Sequence, residues 1–170
     1  IPNFDVPYST LYYSPQGDLV GATLAADQHL RFPPDRTVHP RFHKALLTYL
    51  DQEFHTHAGV KPMLLGQALL QPSARAADAC TLTQHVVRLA RNREPTTIKA
   101  HLVESLIALK LEHSTSKKDI LRLYASHAPF GPNVTGVEAA SWHYFDHPSD
   151  TLSWAEAATL AVLPYAHYGA

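Results

Sequence analysis

The chain has 170 residues, 45% of them hydrophobic, and a formal charge of -1 from 14 Lys and Arg against 15 Asp and Glu. That is the size of one domain, large enough to bury a core without disulfide or metal staples. The balanced charge supplies no field that would favour nucleic acid, and the single cysteine, Cys80, excludes an intramolecular disulfide and reads as a small buried hydrophobe.

No apolar run approaches the ~20 residues that span a bilayer. Ile1 to Tyr8 has neither the charged start nor the apolar stretch of a signal peptide, so an anchor of the parent protein is expected outside this chain.

In chain order, Ser9 to Ala25 predicts a β-hairpin: Thr10-Leu11-Tyr12-Tyr13 is rich in strand formers, Pro15-Gln16-Gly17-Asp18 supplies a turn, and Leu19 to Leu24 runs back. Pro33-Pro34-Asp35 and Val38-His39-Pro40 break the chain. From Pro40 the period becomes helical, with Phe42, Ala45, Leu46, Tyr49 and Leu50 on one face and fraying expected from Phe54 to Gly59.

Met63 to Leu70 and Thr81 to Arg91 predict two further helices, the second with Leu82, Val86 and Leu89 on one face. Glu94-Pro95-Thr96-Thr97 opens the longest helix, whose stripe is Ile98, Leu102, Ser105, Leu106, Leu109 and Glu112. Ser116 is the expected N-cap of a helix over Lys117 to Ser126, with Asp119 at the capping-box position. A loop at Pro129 to Asn133, a helix from Gly136 to Tyr144 and a last one over Ser153 to Leu163, capped by Ser153 with Glu156, complete the reading.

The expected fold is mostly α, one domain over residues 1–170, with a hairpin segment at 1–30 and a helical lobe at 40–170. Its expected core is Phe42, Leu46, Tyr49, Leu82, Val86, Leu102, Leu106, Leu109, Leu123, Ala140 and Leu160. A packed Leu106 would make Leu106→Ala cost ~2–5 kcal/mol.

Histidines number 12, an excess that raises the question of a metal. The closest spacing, His55-Thr56-His57, has no third ligand at the offsets zinc sites use, so no metal ligand is assigned.

Ordered blocks across nearly the whole chain carry a resemblance. They begin with Phe4 to Thr10 and Gly17 to Ala22, followed by Asp51, Phe54, His57 and Gly59, spaced as in E-D-x-x-F-x-x-H-x-G. Thr81-Leu82-Thr83 with Arg88 matches the tail of G-G-S-T-L-T-x-Q and its following basic residue. Glu104, Glu112, Ser116 and Lys117 form the next block, then Ile120-Leu121, Leu123-Tyr124, Phe130-Gly131, Gly136, Ala140 and Tyr144-Phe145, and last Leu152 to Ala158 with Leu160-Ala161 and Leu163-Pro164. Together these resemble the peptidoglycan glycosyltransferase (transglycosylase, glycosyltransferase family 51) domain of class A penicillin-binding proteins, most closely the 1C type.

The resemblance implies a lysozyme-like helical fold with a small membrane-facing jaw. It implies as substrate a lipid-linked disaccharide-pentapeptide or growing glycan strand, and a location on the extracytoplasmic face of a bacterial cytoplasmic membrane. The implied reaction transfers the glycan to the next lipid-linked unit with inversion and release of polyprenyl pyrophosphate. It needs a carboxylate base and groups, often with a divalent Mg or Mn ion, that stabilise the departing pyrophosphate. The chain stops at Ala170, short of the residues with which the family usually closes this domain, and carries no transpeptidase domain.

Several motif positions differ. Leu50 stands where the family has its catalytic glutamate, and losing a positioned general base typically costs ~10²–10⁴-fold in rate. Asp51 points about 100° away on a helix, and Glu53 reaches the same side only if the helix persists. Asp78-Ala79-Cys80 replaces Gly-Gly-Ser, His85 a glutamine, His101 a lysine that assists the pyrophosphate, and Ser126 an asparagine.

The catalytic candidates are therefore Glu104, Glu53 and Asp51, and the substrate-binding candidates Thr81, Thr83, Arg88, His101, His57 and Ser126. Lys117 reads as a solvated helix charge. Two function classes follow: a glycosyltransferase with impaired polymerisation, or an inactive module that binds glycan or lipid-linked precursor. A purely structural piece and a helical hydrolase complete the set, the latter requiring a second carboxylate that sequence does not supply.

Overall fold

The computed structural model describes residues 4–34, 37–61, 80–93, 95 and 97–166. The helix expected over Met63 to Leu70, and Asp78-Ala79, lie outside them. The chain divides into two compact units, one formed by Ile1–Phe4 and Leu50–Tyr124, the other by Asp5–Tyr49 and Ala125–Ala170.

Among the described residues, the strands belong to the second unit. β1 (Leu11–Tyr13) and β2 (Leu19–Ala22) pair antiparallel as the expected hairpin. Its turn is fixed by Ser14 Oγ, which accepts the amides of Gln16 and Asp18, while Gly17 takes φ +94°.

β3 (Leu30–Arg31) runs parallel to β5 (Val134–Thr135), and β4 (Pro129–Gly131) antiparallel to it, in the order β3-β5-β4. The segment expected as a loop at Pro129 to Asn133 thus contains a strand. Strands of two or three residues are too short to display an alternation in sequence, and only their distant partners define them.

α1 (Pro40–Leu50) starts with proline, whose missing N–H is no loss in a first turn, and buries Phe42, Leu46 and Leu47. Phe42 faces Phe130 with ring centroids 6.2 Å apart. Tyr49, expected in the core, is 51% exposed: at the helix end its ring meets Tyr165 rather than the interior. α5 (Val137–Phe145) follows Gly136, whose φ is +90° and where a Cβ would lie 2.8 Å from the Ser126 carbonyl oxygen. α6 (Trp154–Ala166) opens with the expected box, Glu156 N–H donating to Ser153 Oγ and Ser153 N–H to Glu156. Ala140, Leu160, Phe130 and Leu152 are buried.

The first unit carries α2 (Leu82–Arg91), α3 (Ile98–Ser114) and α4 (Lys117–His127), the last of which runs three residues beyond the unit. Leu82, Val86, Val87, Ala108, Leu111 and Ile120 are buried here. Ser116 Oγ accepts the Asp119 N–H and donates to its carboxylate, so the shorter acid is bound by the hydroxyl instead of reaching the backbone. α1 has ended by Leu50, and Asp51 to Gly59 are turns and bends, not a fraying helix.

The long helix α3 corrects the sequence reading most. Its inward face is Glu104, Ser105, Ala108 and Leu111, whereas Ile98, Leu102, Leu106 and Leu109 are 42%, 41%, 66% and 43% exposed. α3 is apolar on more than one side, so periodicity does not choose which side turns in. The choice is made by what α2 offers: Arg88 bonds Glu104 and Gln84 bonds Ser105. Leu123, also expected in the core, is half-buried.

These positions separate in a urea series. Leu46→Ala, at a fully buried site, costs about 2–5 kcal/mol. Leu106→Ala changes stability by no more than about 0.5 kcal/mol, in contrast to the cost its apolar stripe suggests.

Candidate functional site

The residues singled out in the sequence between Leu50 and Lys117 belong to the first unit, where they form two polar clusters and a buried pair. The first cluster is built on Asp51, which follows the last residue of α1 and whose side chain is fully buried. Its Oδ2 accepts His57 Nε2 at 2.8 Å and the Leu82 amide at 3.0 Å. Lys61 Nζ lies 2.8 Å from Oδ1 as an ion pair and 3.2 Å from Glu53, whose side chain is 70% exposed.

Burial alone would push the Asp51 carboxyl up. The bonds from Lys61, the Leu82 amide and His57 outweigh it and hold the carboxyl below its ordinary range. The carboxylates of Asp51 and Glu53 hold Lys61 above its ordinary value against its own desolvation.

His57 is committed on both ring nitrogens. Nδ1 accepts the Gly59 amide at 2.9 Å, which places the proton on Nε2, facing Asp51. Thr81 caps α2 in a full capping box with Gln84: Gln84 N–H donates to Thr81 Oγ1 and Thr81 N–H to Gln84 Oε1. The Thr81 hydroxyl donates in turn to the Gly59 carbonyl at 2.6 Å. Asp51, His57, Gly59, Thr81 and the N-terminus of α2 are one hydrogen-bonded body.

Above it in α2, Arg88 and Glu104 form the buried pair, 6% and 3% exposed, with Nε–Oε2 at 2.8 Å and Nη2–Oε1 at 3.2 Å. This two-point geometry is the strong form of a guanidinium–carboxylate contact. Cys80 is buried as expected and its sulfur accepts from the same guanidinium. His85 has its imidazole pushed down to about 3 by burial and by the Arg88 charge, against the pull of Asp51. It is a neutral ring at every physiological pH, like the amide it replaces in the resembled motif.

The second cluster joins Thr83, fully buried, to Glu112, and Glu112 to Lys117 at 2.8 Å. His101 lies half-buried in the first turn of α3. Ser126 belongs to the second unit, apart from these groups in the division of the chain. The structure thus brings Asp51, Glu53, His57 and Thr81 together, and pairs Arg88 with Glu104.

Sequence reasoning missed Lys61, Gln84 and the Glu112–Lys117 link. Thr81-x-x-Gln84 was legible as a capping box. Lys61 carried no signal, because its partners are set by the turn after α1.

Mg or Mn takes oxygen donors that are free to coordinate. Asp51, Glu104 and Glu112 are each already neutralised by Lys61, Arg88 and Lys117, so these residues do not fit a divalent ion.

Comparison with known proteins bears on this arrangement. The family model described as Transglycosylase matches residues 16–168. Penicillin-binding protein 1C of Escherichia coli (strain K12) is 41% identical over 145 residues, 83% of this chain and 19% of that protein. Penicillin-binding protein 2D of Bacillus subtilis (strain 168) is 32% identical over 166 residues, 96% of this chain and 24% of that protein. The biosynthetic peptidoglycan transglycosylase of Pasteurella multocida (strain Pm70) is 35% identical over 163 residues, 94% of this chain and 66% of that protein. The chain therefore spans about a quarter or less of the first two relatives and about two-thirds of the third.

Asp51→Asn removes the charge that three donors share and lowers stability at pH 7 by about 1.5–3 kcal/mol. The folded pKa lies below the unfolded one, so this contribution is present above the unfolded value of ~3.9 and is lost as pH falls through the folded value. Urea midpoints of the two proteins, well apart at pH 7, converge in acid.

Proposed function

The chain belongs to the transglycosylase family, and on that premise we propose that this domain binds lipid-linked disaccharide-pentapeptide or glycan strands and polymerises them slowly or not at all. The observation that carries this reading is the state of its carboxylates. Leu50, at the position of the family's base, cannot take a proton. Asp51, Glu104 and Glu112 are buried against cations and bound by them, so each would have to break an ion pair in order to act as a base.

Glu53 is the exception, with its side chain 70% exposed and its carboxylate beside Lys61. It is the remaining candidate for a base. Asp51 and Glu104 then serve by position, Asp51 holding the loop and α2 together and Glu104 orienting Arg88. Thr81 and Thr83 support the site from within, since both are buried with their hydroxyls engaged. Arg88 is held at two points by Glu104, and the half-exposed His101 is the polar side chain of this unit left to meet the pyrophosphate side of a ligand. The reaction expected of an intact relative is attack by a sugar hydroxyl on the anomeric carbon of the lipid-linked donor, with the proton passing to the base and pyrophosphate leaving. This chain supports binding and alignment for that step better than the proton transfer.

The location proposed is the extracytoplasmic face of a bacterial membrane. No helix among the described residues is long and apolar enough to cross a bilayer. The exposed stripe of α3, flanked by the exposed Lys99 and Lys110, suits contact with a lipid surface. Leu106→Glu should weaken co-sedimentation with anionic lipid vesicles several-fold without lowering the thermal midpoint. Equal binding by both proteins would count against that contact.

A polymerisation assay with lipid-linked substrate tests the central reading. The unmodified chain should lag an intact relative by ~10²–10⁴-fold or more, while Leu50→Glu gains activity if the groove still binds substrate. Product from the unmodified chain that disappears in Glu53→Gln would overturn the slow reading and make Glu53 the base. Loss of product in Glu104→Gln alone would return that role to Glu104.

A further inference from the structure

Lys117 reads in the sequence as a solvated helix charge, yet its Nζ is bound from three sides. It donates to the His57 carbonyl at 2.7 Å and to Glu112 Oε1 at 2.8 Å, and it lies 4.4 Å from the centroid of the fully buried Phe54 ring. Two of these three partners belong to the loop after α1, the loop that carries Asp51, Glu53, His57 and Lys61. The third, Glu112, is the acceptor for Thr83 of α2, and its Cγ stands 2.6 Å from where a Cβ on Gly59 would be.

We infer that Lys117 is the positioning residue of this site: from α4 it clamps the loop at Phe54 and at the His57 carbonyl, and so fixes His57, Asp51 and the Glu53–Lys61 pair.

The chemistry favours this over a passive ion pair. A carbonyl, a carboxylate and a π face together saturate an ammonium, and each is stronger here than in water because the surroundings are largely desolvated. Release of Lys117 would free the His57 carbonyl, and with it the ring whose two nitrogens tie Gly59 to Asp51. The coupling runs through the backbone and reaches the Leu82 amide by way of Asp51. Gly59 fits the same account: its φ of +89° and its contact with Glu112 and Ala108 leave the loop no side-chain volume there.

The inference about ligand affinity rests on the proposed function, whereas the inference about the loop does not, and the experiment keeps them apart. Amide hydrogen exchange is compared in the unmodified chain, Lys117→Met and Lys117→Arg, alongside binding of a fluorescent lipid-linked disaccharide-pentapeptide in detergent. In Lys117→Met, protection at Gly59 and Leu82 should fall by about tenfold or more while Ala108 and Leu111 in α3 hold theirs. Precursor affinity should fall in parallel, and Lys117→Arg should recover most of both.

Unchanged protection at Gly59 and Leu82, or an equal loss at Ala108, overturns the positioning role, as does a loosened loop with undiminished affinity. A loosened loop in a protein whose unmodified form binds no precursor supports the clamp and removes the proposed ligand instead. If Lys117→Met fails to fold, Phe54→Leu removes the aromatic arm alone and should loosen the same two amides to a smaller degree.

Discussion

The first unit depends on one buried carboxylate. Asp51 gathers a ring N–H, a backbone amide and an ammonium, from His57, Leu82 and Lys61, around two oxygens with no access to solvent. A charge in that position is tolerable only because all of these donors are present; remove the ammonium and desolvation dominates. The same group joins a turn to the N-terminus of α2, where the helix dipole also favours a negative charge. Local order in the loop, the start of α2 and the state of the acid are therefore a single equilibrium.

Around that centre, charge is stored in pairs. Arg88 with Glu104 and Lys117 with Glu112 repeat the solution found at Asp51: an acid turned inward and a cation brought to it by another segment. Such pairs contribute little net stability against an apolar core of the same shape, but breaking one leaves a stranded charge. They are better understood as devices that allow one packing of α2 and α4 on α3 and exclude others. A carboxylate held in this way acts first as a scaffold, since using it for anything else means breaking its ion pair. The proposed function rests on this contrast: Leu50 and the paired Asp51, Glu104 and Glu112 on one side, the exposed Glu53 on the other.

The exposed stripe of α3 follows from the same economy. With Glu104 and Ser105 required inside to meet Arg88 and Gln84, the larger aliphatic residues Leu102, Leu106 and Leu109 are turned outward. Burying those leucines instead would gain apolar area but would leave Arg88 without its carboxylate, and the cost of an unpaired guanidinium exceeds the gain from partly exposed side chains.

Only local features were legible in the residues alone. Thr81, Thr97, Ser116 and Ser153 announce helix starts because a capping hydroxyl needs only neighbours three residues away, and Pro40 and Gly136 mark boundaries through their own backbone restrictions. The motif spacings around Asp51, Thr81 and Glu104 were likewise enough to place the chain in its family. The choice of face on α3, the strand at Pro129–Gly131 and the fate of each acid were decided only by tertiary structure. A helix apolar on several sides has no preferred interior until another helix presents a partner. A three-residue strand exists only when a distant segment pairs with it. Whether a carboxylate is a base or a strut depends on which cation reaches it, and Lys61, Arg88 and Lys117 reach theirs from five to sixteen residues away.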